Sequence, residues 1–126
     1  MCIRDRIVAD TLEHSTAGSV DTQYVVNGSA KAWSAFDGSG TVAIDGSNNV
    51  STLTDNGTGD YTITLTNSMA NVNYAPVSSC NYNGTSPDFV GATVKTVNTT
   101  RFKSAHDSGS ITDMDDIYAT WDGDLA

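Results

Sequence analysis

The stretch DYTITLT, residues 60–66, alternates strictly between polar and apolar side chains. Tyr61, Ile63 and Leu65 fall on one face of an extended chain, whereas an aspartate and three threonines occupy the other. This period of two is typical of a strand in an antiparallel sheet that has one buried and one solvated face. We therefore predict a strand over these residues and an all-β fold around it.

Further short strands are predicted on both sides of this stretch. Asp, Asn, Ser and Gly cluster between them, most strongly at residues 55–59, where Asn-Gly favours the positive φ angles of a tight hairpin. Strands are expected at residues 30–36, 41–44, 50–54, 72–80, 90–97, 99–105 and 116–122. About eight strands at roughly ten-residue spacing predict a single antiparallel, jelly-roll-like β-sandwich over residues 29–126.

The composition agrees with a β-protein of one domain. Among 126 residues there are 31 Ser and Thr, 10 Asn and 11 Gly, but only one Glu and four Leu, so residues typical of helices are scarce. The net charge of −9 argues against nucleic acid as a partner, because no basic patch could neutralise phosphates. No apolar run approaches the ~20 residues that span a bilayer, so no membrane insertion is expected.

The inward-facing side chains of the predicted strands form a thin core. Each large side chain that is buried contributes about 1.5–3 kcal/mol, against a cost of about 1–2 kcal/mol per ordered backbone residue. The domain is therefore expected to associate with copies of itself. The side chains expected in the core are Trp33, Val42, Ile44, Val50, Leu53, Tyr61, Ile63, Leu65, Tyr74, Val77, Val94, Phe102, Ile117 and Trp121.

The beginning of the chain differs from the rest. Residues 1–6, MCIRDR, resemble the translation of a transposase-type sequencing adapter; a signal peptide, the competing interpretation, needs an apolar stretch that does not follow. The natural protein is therefore expected to continue upstream, with Cys80 as its only native cysteine in this piece. Residues 7–28 sustain no period and are expected to form an extended lead-in or linker that packs on neighbouring chains, with no helix needed in the fold.

Motifs that could bind a metal or a cofactor are weak. In the loop of residues 55–60 the third and fifth positions of a calcium loop are Gly57 and Gly59, which offer no side-chain oxygen. The acidic run at residues 113–116 has no supporting histidine or carboxylate at a useful spacing. A single native cysteine forms neither an internal disulfide nor a cysteine zinc site. We expect no metal and no cofactor.

Catalytic residues are not predicted either. A Ser–His–Asp arrangement around His106 and Asp107 lacks a Gly-x-Ser-x-Gly nucleophile elbow, and adjacent side chains on a strand point to opposite faces. Glu13, the sole glutamate, lies in the lead-in and supplies no carboxylate pair for sugar cleavage. The chain is expected not to be an enzyme.

Aromatic side chains outside the core suggest a binding role, because their flat faces stack on sugars. Tyr82 and Asn83 lie in a loop that continues Gly-Thr-Ser-Pro, and Tyr118 lies on a predicted strand. These three residues are the candidate receptor-binding residues. Trp121 could also stack on a sugar, but it is expected in the core.

Residues 25–77 carry the most specific pattern in the chain. Its segments, in order, are residues 26–33 (VNGSAKAW), 49–51 (NVS), 54–62 (TDNGTGDYT) and 69–74 (MANVNY). This block resembles the C-terminal domain common in tail fibre and other virion appendage proteins, especially those of marine phages. It departs from that pattern at residues 34–36, where Ser-Ala-Phe replaces the more usual Val-Asn-Phe, and at Ala70, where Pro is common. Residues 81–126 do not match.

The resemblance implies a structural virion protein with a β-sandwich tip, built from three chains at the outer end of a tail fibre. It implies a homotrimer that recognises a glycan or protein receptor on the host surface, where several weak contacts add avidity. A carbohydrate-binding or adhesin module of a secreted bacterial protein stays open as an alternative. An enzyme acting on surface polysaccharide, with its site upstream, is the third possibility.

Overall fold

A computed structural model describes residues 9–81 and 88–126, which are mostly β-structure. The eight predicted sandwich strands are all present, with some ends displaced by a few residues. The elements are β1 (Thr11–His14), β2 (Gly18–Asp21), α1 (Thr22–Gly28), β3 (Ala32–Asp37), β4 (Ala43–Asn48), β5 (Val50–Gly57), β6 (Asp60–Leu65), β7 (Ala75–Asn81), β8 (Phe89–Lys95), β9 (Thr99–Ala105) and β10 (Asp116–Asp122).

Strands β3 to β10 form two four-stranded antiparallel sheets. Sheet 1 has the order β4-β3-β10-β7 and sheet 2 the order β5-β6-β9-β8. Their apolar inner faces pack together, so the predicted all-β sandwich is confirmed. Its connectivity is built on hairpins: β4, the second strand of the sandwich, pairs with β3, whereas a jelly roll pairs the second strand with the seventh. The strand pairing is therefore not that of a jelly roll, and the jelly-roll-like topology expected from the sequence is corrected.

Two aromatic pairs join the sheets across the core. The Phe36 and Tyr61 rings meet edge-to-face with centroids 5.3 Å apart, and the Phe102 and Trp121 rings do so at 5.7 Å. Edge-to-face pairs of this kind stabilise a core beyond their buried area. The buried apolar residues are Ala32, Phe36, Tyr61, Ile63, Leu65, Met69, Tyr74, Phe102, Met114, Ile117, Ala119 and Trp121.

A buried hydroxyl, that of Thr100, connects the polar atoms of this core. The indole Nε1 of Trp121 donates a hydrogen bond to Thr100 Oγ1 at 2.8 Å, and the Tyr74 hydroxyl lies 2.8 Å from the same oxygen. Both aromatic side chains are therefore buried with their polar atoms satisfied, as burial requires. The placement of Tyr61, Ile63 and other predicted core residues is confirmed.

Four residues predicted in the core are exposed instead: Trp33, Ile44, Val77 and Val94. In β3 the inward face is that of Ala32, Ser34 and Phe36, so Trp33 points outward. In β7 the alternation likewise turns Val77 outward. Val42, Val50 and Leu53 pack against the core while remaining partly exposed.

The corner between β4 and β5 is organised by Asn49. Its φ of +57° lies in the left-handed region, which Asn tolerates better than most residues. Its Nδ2 donates to the carbonyls of Lys31 and Asn67 at 3.1 and 3.2 Å, while its Oδ1 accepts from the Asn67 backbone N–H at 2.8 Å and from Asn67 Nδ2 at 2.9 Å. One side chain thus ties the start of β3 to the end of β6.

The turn between β5 and β6 lies later than the sequence predicts. Thr58 and Gly59 form it, and Asn56 is the extra residue of a β-bulge. Gly59 has a φ of +58°, and a Cβ there would lie 2.7 Å from the Ser104 carbonyl oxygen and 2.8 Å from that of Thr112. Packing against the segment before β10 therefore requires glycine at this position, and it outweighs the local preference for an Asn-Gly turn.

The described part of the lead-in, residues 9–28, is not a simple extended chain. β1 and β2 form an antiparallel hairpin, and the seven-residue helix α1 follows directly. The expectation of an extended segment without a helix is corrected accordingly. No residue of the helix is buried. The exposed apolar side chains of this segment are Leu12, Val20, Tyr24, Val25 and Val26.

We predict that Asn49→Ala lowers the free energy of unfolding by about 2–4 kcal/mol, because it removes the side-chain hydrogen bonds and places a Cβ-bearing residue without a local partner in the left-handed region. Asn49→Gly loses the same bonds but relieves the backbone, so it should cost about 1–2 kcal/mol less than Asn49→Ala. Urea denaturation followed by circular dichroism measures both. Equal stability of Asn49→Ala and the parent chain would contradict the role of this corner.

Candidate receptor-binding surface

The outer face of sheet 1 carries two exposed aromatic side chains. In β10 the residues Ile117, Ala119 and Trp121 point into the core, so Tyr118 points outward and is 48% exposed. Trp33 on the neighbouring strand β3 is 44% exposed. The expectation that Trp121 is a core residue is confirmed.

The strand register places these side chains in two adjacent rows, which we call the aromatic face. Trp33 lies opposite Thr120, and Tyr118 is two residues from Thr120 on the same strand. Diagonal neighbours of this kind are about 7–8 Å apart, close enough for one ligand to contact both rings. The rows are Asn48, Trp33, Thr120 and Val77, then Gly46, Ala35, Tyr118 and Ser79.

Small residues lie beside Trp33 on the aromatic face. The indole lies over Gly46, where a Cβ would be 3.3 Å from Trp33 Cη2 and 3.4 Å from Cζ3. Ala35, the cross-strand partner of both Gly46 and Tyr118, also has little bulk. The edge of the ring that carries Cη2 and Cζ3 therefore packs against the backbone of β4.

Charge is divided unequally between the two sheets. The four strands of sheet 1 contain no Lys, Arg or His, and the outward positions of β10 include Asp116 and Asp122 at either end of the aromatic face. Asp37 follows the same outward alternation on β3. The cations Lys95, Arg101 and Lys103 all lie on sheet 2. The aromatic face is consequently framed by carboxylates.

The outer surface of sheet 2 is held by an ion pair. Arg101 donates from Nε to Asp60 Oδ1 at 2.7 Å and from Nη2 to Oδ2 at 2.6 Å, and Lys103 Nζ lies 3.4 Å from Oδ2. The hydrogen bonds from Arg101, with those from Lys103 and the charge of Arg101, hold the pKa of Asp60 well below its usual range, although burial opposes them. Asp60 therefore stays ionised and neutralises part of the cationic charge of this sheet.

The candidate residues from the sequence have different outcomes. Tyr118 lies at the centre of the aromatic face, whereas Tyr82 and Asn83 lie outside the described residues. Trp33 was not among the candidates because it was predicted in the core. The signal that could have found it is the competing alternation of Ala32, Ser34 and Phe36, which leaves Trp33 on the opposite side.

His106 pairs with Asp88, and the suggested partner Asp107 is exposed. The imidazole Nδ1 donates to Asp88 Oδ1 at 2.8 Å, and the Asp88 side chain is only 1% exposed. The second carboxylate oxygen, Oδ2, is buried with no hydrogen-bond partner in the described parts of the chain. Because Asp88 precedes β8 and His106 follows β9, the pair clamps the open end of that hairpin.

The Cys80 thiol, which the charge of Asp88 influences, is not an activated nucleophile. Burial, followed by the charge of Asp88, raises the pKa of the Cys80 thiol. A thiol with a raised pKa is mostly protonated at neutral pH and therefore a weak nucleophile. The contact between Asp88 and His106 holds the two ends of the β8–β9 hairpin together.

The acidic run at residues 113–116 also contributes to structure. Asp113 Oδ1 accepts the backbone N–H of Gly59 at 2.6 Å and lies 3.0 Å from the Tyr61 hydroxyl. Within residues 9–81 and 88–126 no group of three or more His, Cys, Asp or Glu is placed to hold a metal ion. In the same residues there is no helix with the length and apolar character needed to cross a membrane.

Comparison of the chain with models of protein families, with curated proteins and with solved structures finds no match. The surface chemistry of the described residues and the sequence resemblance at residues 25–77 are therefore the basis for the function proposed below. The resemblance is the basis for the biological setting proposed there, and the aromatic face is the basis for the proposed binding surface.

We predict that His106→Ala lowers the free energy of unfolding by about 1–3 kcal/mol, because it leaves the buried Asp88 carboxylate without its donor. Asp107→Ala is the matched control: the neighbouring side chain is exposed, so its loss should change stability by less than about 0.5 kcal/mol. Urea denaturation of the two variants measures the difference. Equal losses would contradict the clamp.

Proposed function

We propose that the chain is the C-terminal tip domain of a phage tail fibre, a structural virion protein that recognises the host surface through the aromatic face. The block at residues 25–77, which resembles such domains, supports the setting. The observation that carries the recognition is the pair of exposed rings, Trp33 and Tyr118, side by side on an open sheet. The domain acts by binding and needs neither a catalytic group nor a cofactor.

The chemistry of the aromatic face suits a glycan. Exposed rings offer flat apolar surfaces on which the apolar face of a pyranose can stack, while Asn48, Ser79 and Thr120 offer hydrogen-bond donors and acceptors beside them. A surface exposed in this way gives modest affinity at each site. Several identical tips on one virion would strengthen the attachment through effective concentration.

The lead-in supports self-association, and the resemblance at residues 25–77 suggests three chains. A two-stranded hairpin is marginally stable in isolation, and a seven-residue helix is well below the ~12–15 residues that an isolated helix needs in water. Leu12 and Val20 are cross-strand partners with exposed side chains. Copies of the same segment from two further chains would cover these side chains and stabilise the hairpin.

The alternative is a carbohydrate-binding or adhesin module of a secreted, extracellular bacterial protein. It would use the same aromatic face for the same kind of ligand, so the surface favours neither setting. The genes beside the parent reading frame separate the two. Virion genes support the tail fibre, and a glycoside hydrolase encoded upstream supports the secreted module.

We predict that Trp33→Ala and Tyr118→Ala each weaken binding to bacterial cells about tenfold, the effect of losing about 1.4 kcal/mol of contact energy. Phe89→Ala is the control, because Phe89 is a 60% exposed aromatic residue on sheet 2. Flow cytometry with the fluorescently labelled full chain, titrated on a panel of marine bacteria, measures the affinities. If all three variants bind like the parent chain, the aromatic face is not the recognition surface.

We predict that the full chain is a trimer. Leu12→Ser combined with Val20→Ser should make it a monomer, because the two substitutions remove the apolar side chains that would pack against the other chains. Light scattering coupled to size exclusion should give about three times 13.2 kDa for the parent chain and 13.2 kDa for the variant. Glu13→Ser is the control, since alternation in the hairpin places Glu13 on the opposite face from Leu12. A monomeric parent chain would contradict the trimer and leave the recognition proposal intact.

A further inference from the structure

The aromatic face is bordered by carboxylates that lack a cationic partner on their own sheet. Along β10 the outward positions are Asp116, Tyr118, Thr120 and Asp122 in succession. At about 3.3 Å per residue, Asp116 lies about 7 Å from Tyr118 along the strand, and Asp122 lies about 13 Å away on the other side. The carboxylates therefore flank the rings over the length of a short oligosaccharide.

The Lys and Arg side chains of the described residues have partners away from these carboxylates. Arg101 and Lys103 contact Asp60. Lys95 Nζ donates to the Tyr74 carbonyl at 2.8 Å and lies 4.9 Å from the centroid of the Tyr74 ring. Lys31 Nζ donates to the carbonyls of Val26 and Ser29.

These four are all the Lys and Arg side chains in the described ranges, 9–81 and 88–126, and each already has an intramolecular partner. A second copy of the described surface thus brings no uncommitted Lys or Arg to meet the carboxylates beside the rings. A positively charged ligand of another kind would complement these carboxylates.

We propose that the aromatic face binds a glycan that carries free amino groups, a polymer of 2-amino-2-deoxy sugars. The inference rests on the function proposed above and specifies the ligand of the same surface. One pyranose ring stacks on Trp33 and Tyr118, and the ammonium groups of flanking units face Asp116 and Asp122. A cation held near these rings also gains from their π-electrons. Uronates, sialates and phosphorylated glycans are repelled by the same carboxylates.

Three oligosaccharides of equal length test the charge selectivity: glucosamine, N-acetylglucosamine and galacturonate oligomers. Titration of the full chain, followed by NMR chemical shifts, should show the glucosamine oligomer binding about three- to tenfold more tightly than the N-acetylated one, as expected for one or two exposed ion pairs. The galacturonate oligomer should not bind. Raising the salt concentration should remove the advantage of the glucosamine oligomer, since exposed ion pairs are screened.

Charge variants locate the effect. Asp116→Asn combined with Asp122→Asn should abolish the preference for glucosamine and leave binding of the N-acetylated oligomer unchanged. Asp10→Asn combined with Asp107→Asn changes the net charge equally at exposed positions outside sheet 1, and it should retain the preference. Trp33→Ala should weaken binding of both oligomers.

The outcomes distinguish the two proposals. Equal binding of the glucosamine and N-acetylglucosamine oligomers would overturn the ligand class and keep glycan recognition. Loss of cell binding in Trp33→Ala, with none of the three oligomers bound, would also overturn the ligand class alone. Self-association that disappears in the Asp116→Asn, Asp122→Asn variant would assign the face to a second copy of the chain. Unchanged cell binding in Trp33→Ala would refute the proposed function itself.

Discussion

The burial of Trp121 between the sheets determines which side chains the surface presents. Its indole packs edge-on against Phe102, and its Nε1 donates to Thr100, so β10 has one favourable orientation. Because side chains alternate along a strand, this orientation turns Tyr118 outward. β3 pairs with β10 in register, and Trp33 is turned outward with it. The aromatic face is thus the outer face of sheet 1, and the packing of Trp121 on the inner face determines which side chains it presents.

The sequence predicts the strands well where the alternation of polar and apolar side chains is long. It predicts them less well where packing between distant strands determines which face is buried or where a turn lies. Tyr61 and its neighbours in β6 show an unambiguous period. In β3 both faces carry an aromatic residue. Which of the two faces the core therefore depends on pairing with β10, which is some eighty residues away in the sequence. The turn at Gly59 depends on contact with Thr112, and the four-residue strands of the lead-in are too short to show a period.

The candidate surface was predictable only in part. Tyr118 could be singled out as an aromatic residue on a strand, but its neighbour Trp33 could not be placed beside it without the sheet order. The division of charge between the sheets has the same origin, because assignment of Asp116 or Arg101 to a sheet requires the topology. Asp88 and His106 meet only because the β8–β9 hairpin brings its two ends together.

The position of β3 in its sheet bears on how the domain would respond to a mechanical load. A pull transmitted from residues on the N-terminal side enters the sandwich at β3, which lies between β4 and β10. A strand paired on both edges is released only when its hydrogen bonds to both neighbours break, whereas an edge strand is held by one neighbour. Asn49, which holds the Lys31 carbonyl, passes part of that tension to the adjoining sheet. A pull on β3 would therefore act on two neighbouring strands and, through Asn49, on the second sheet.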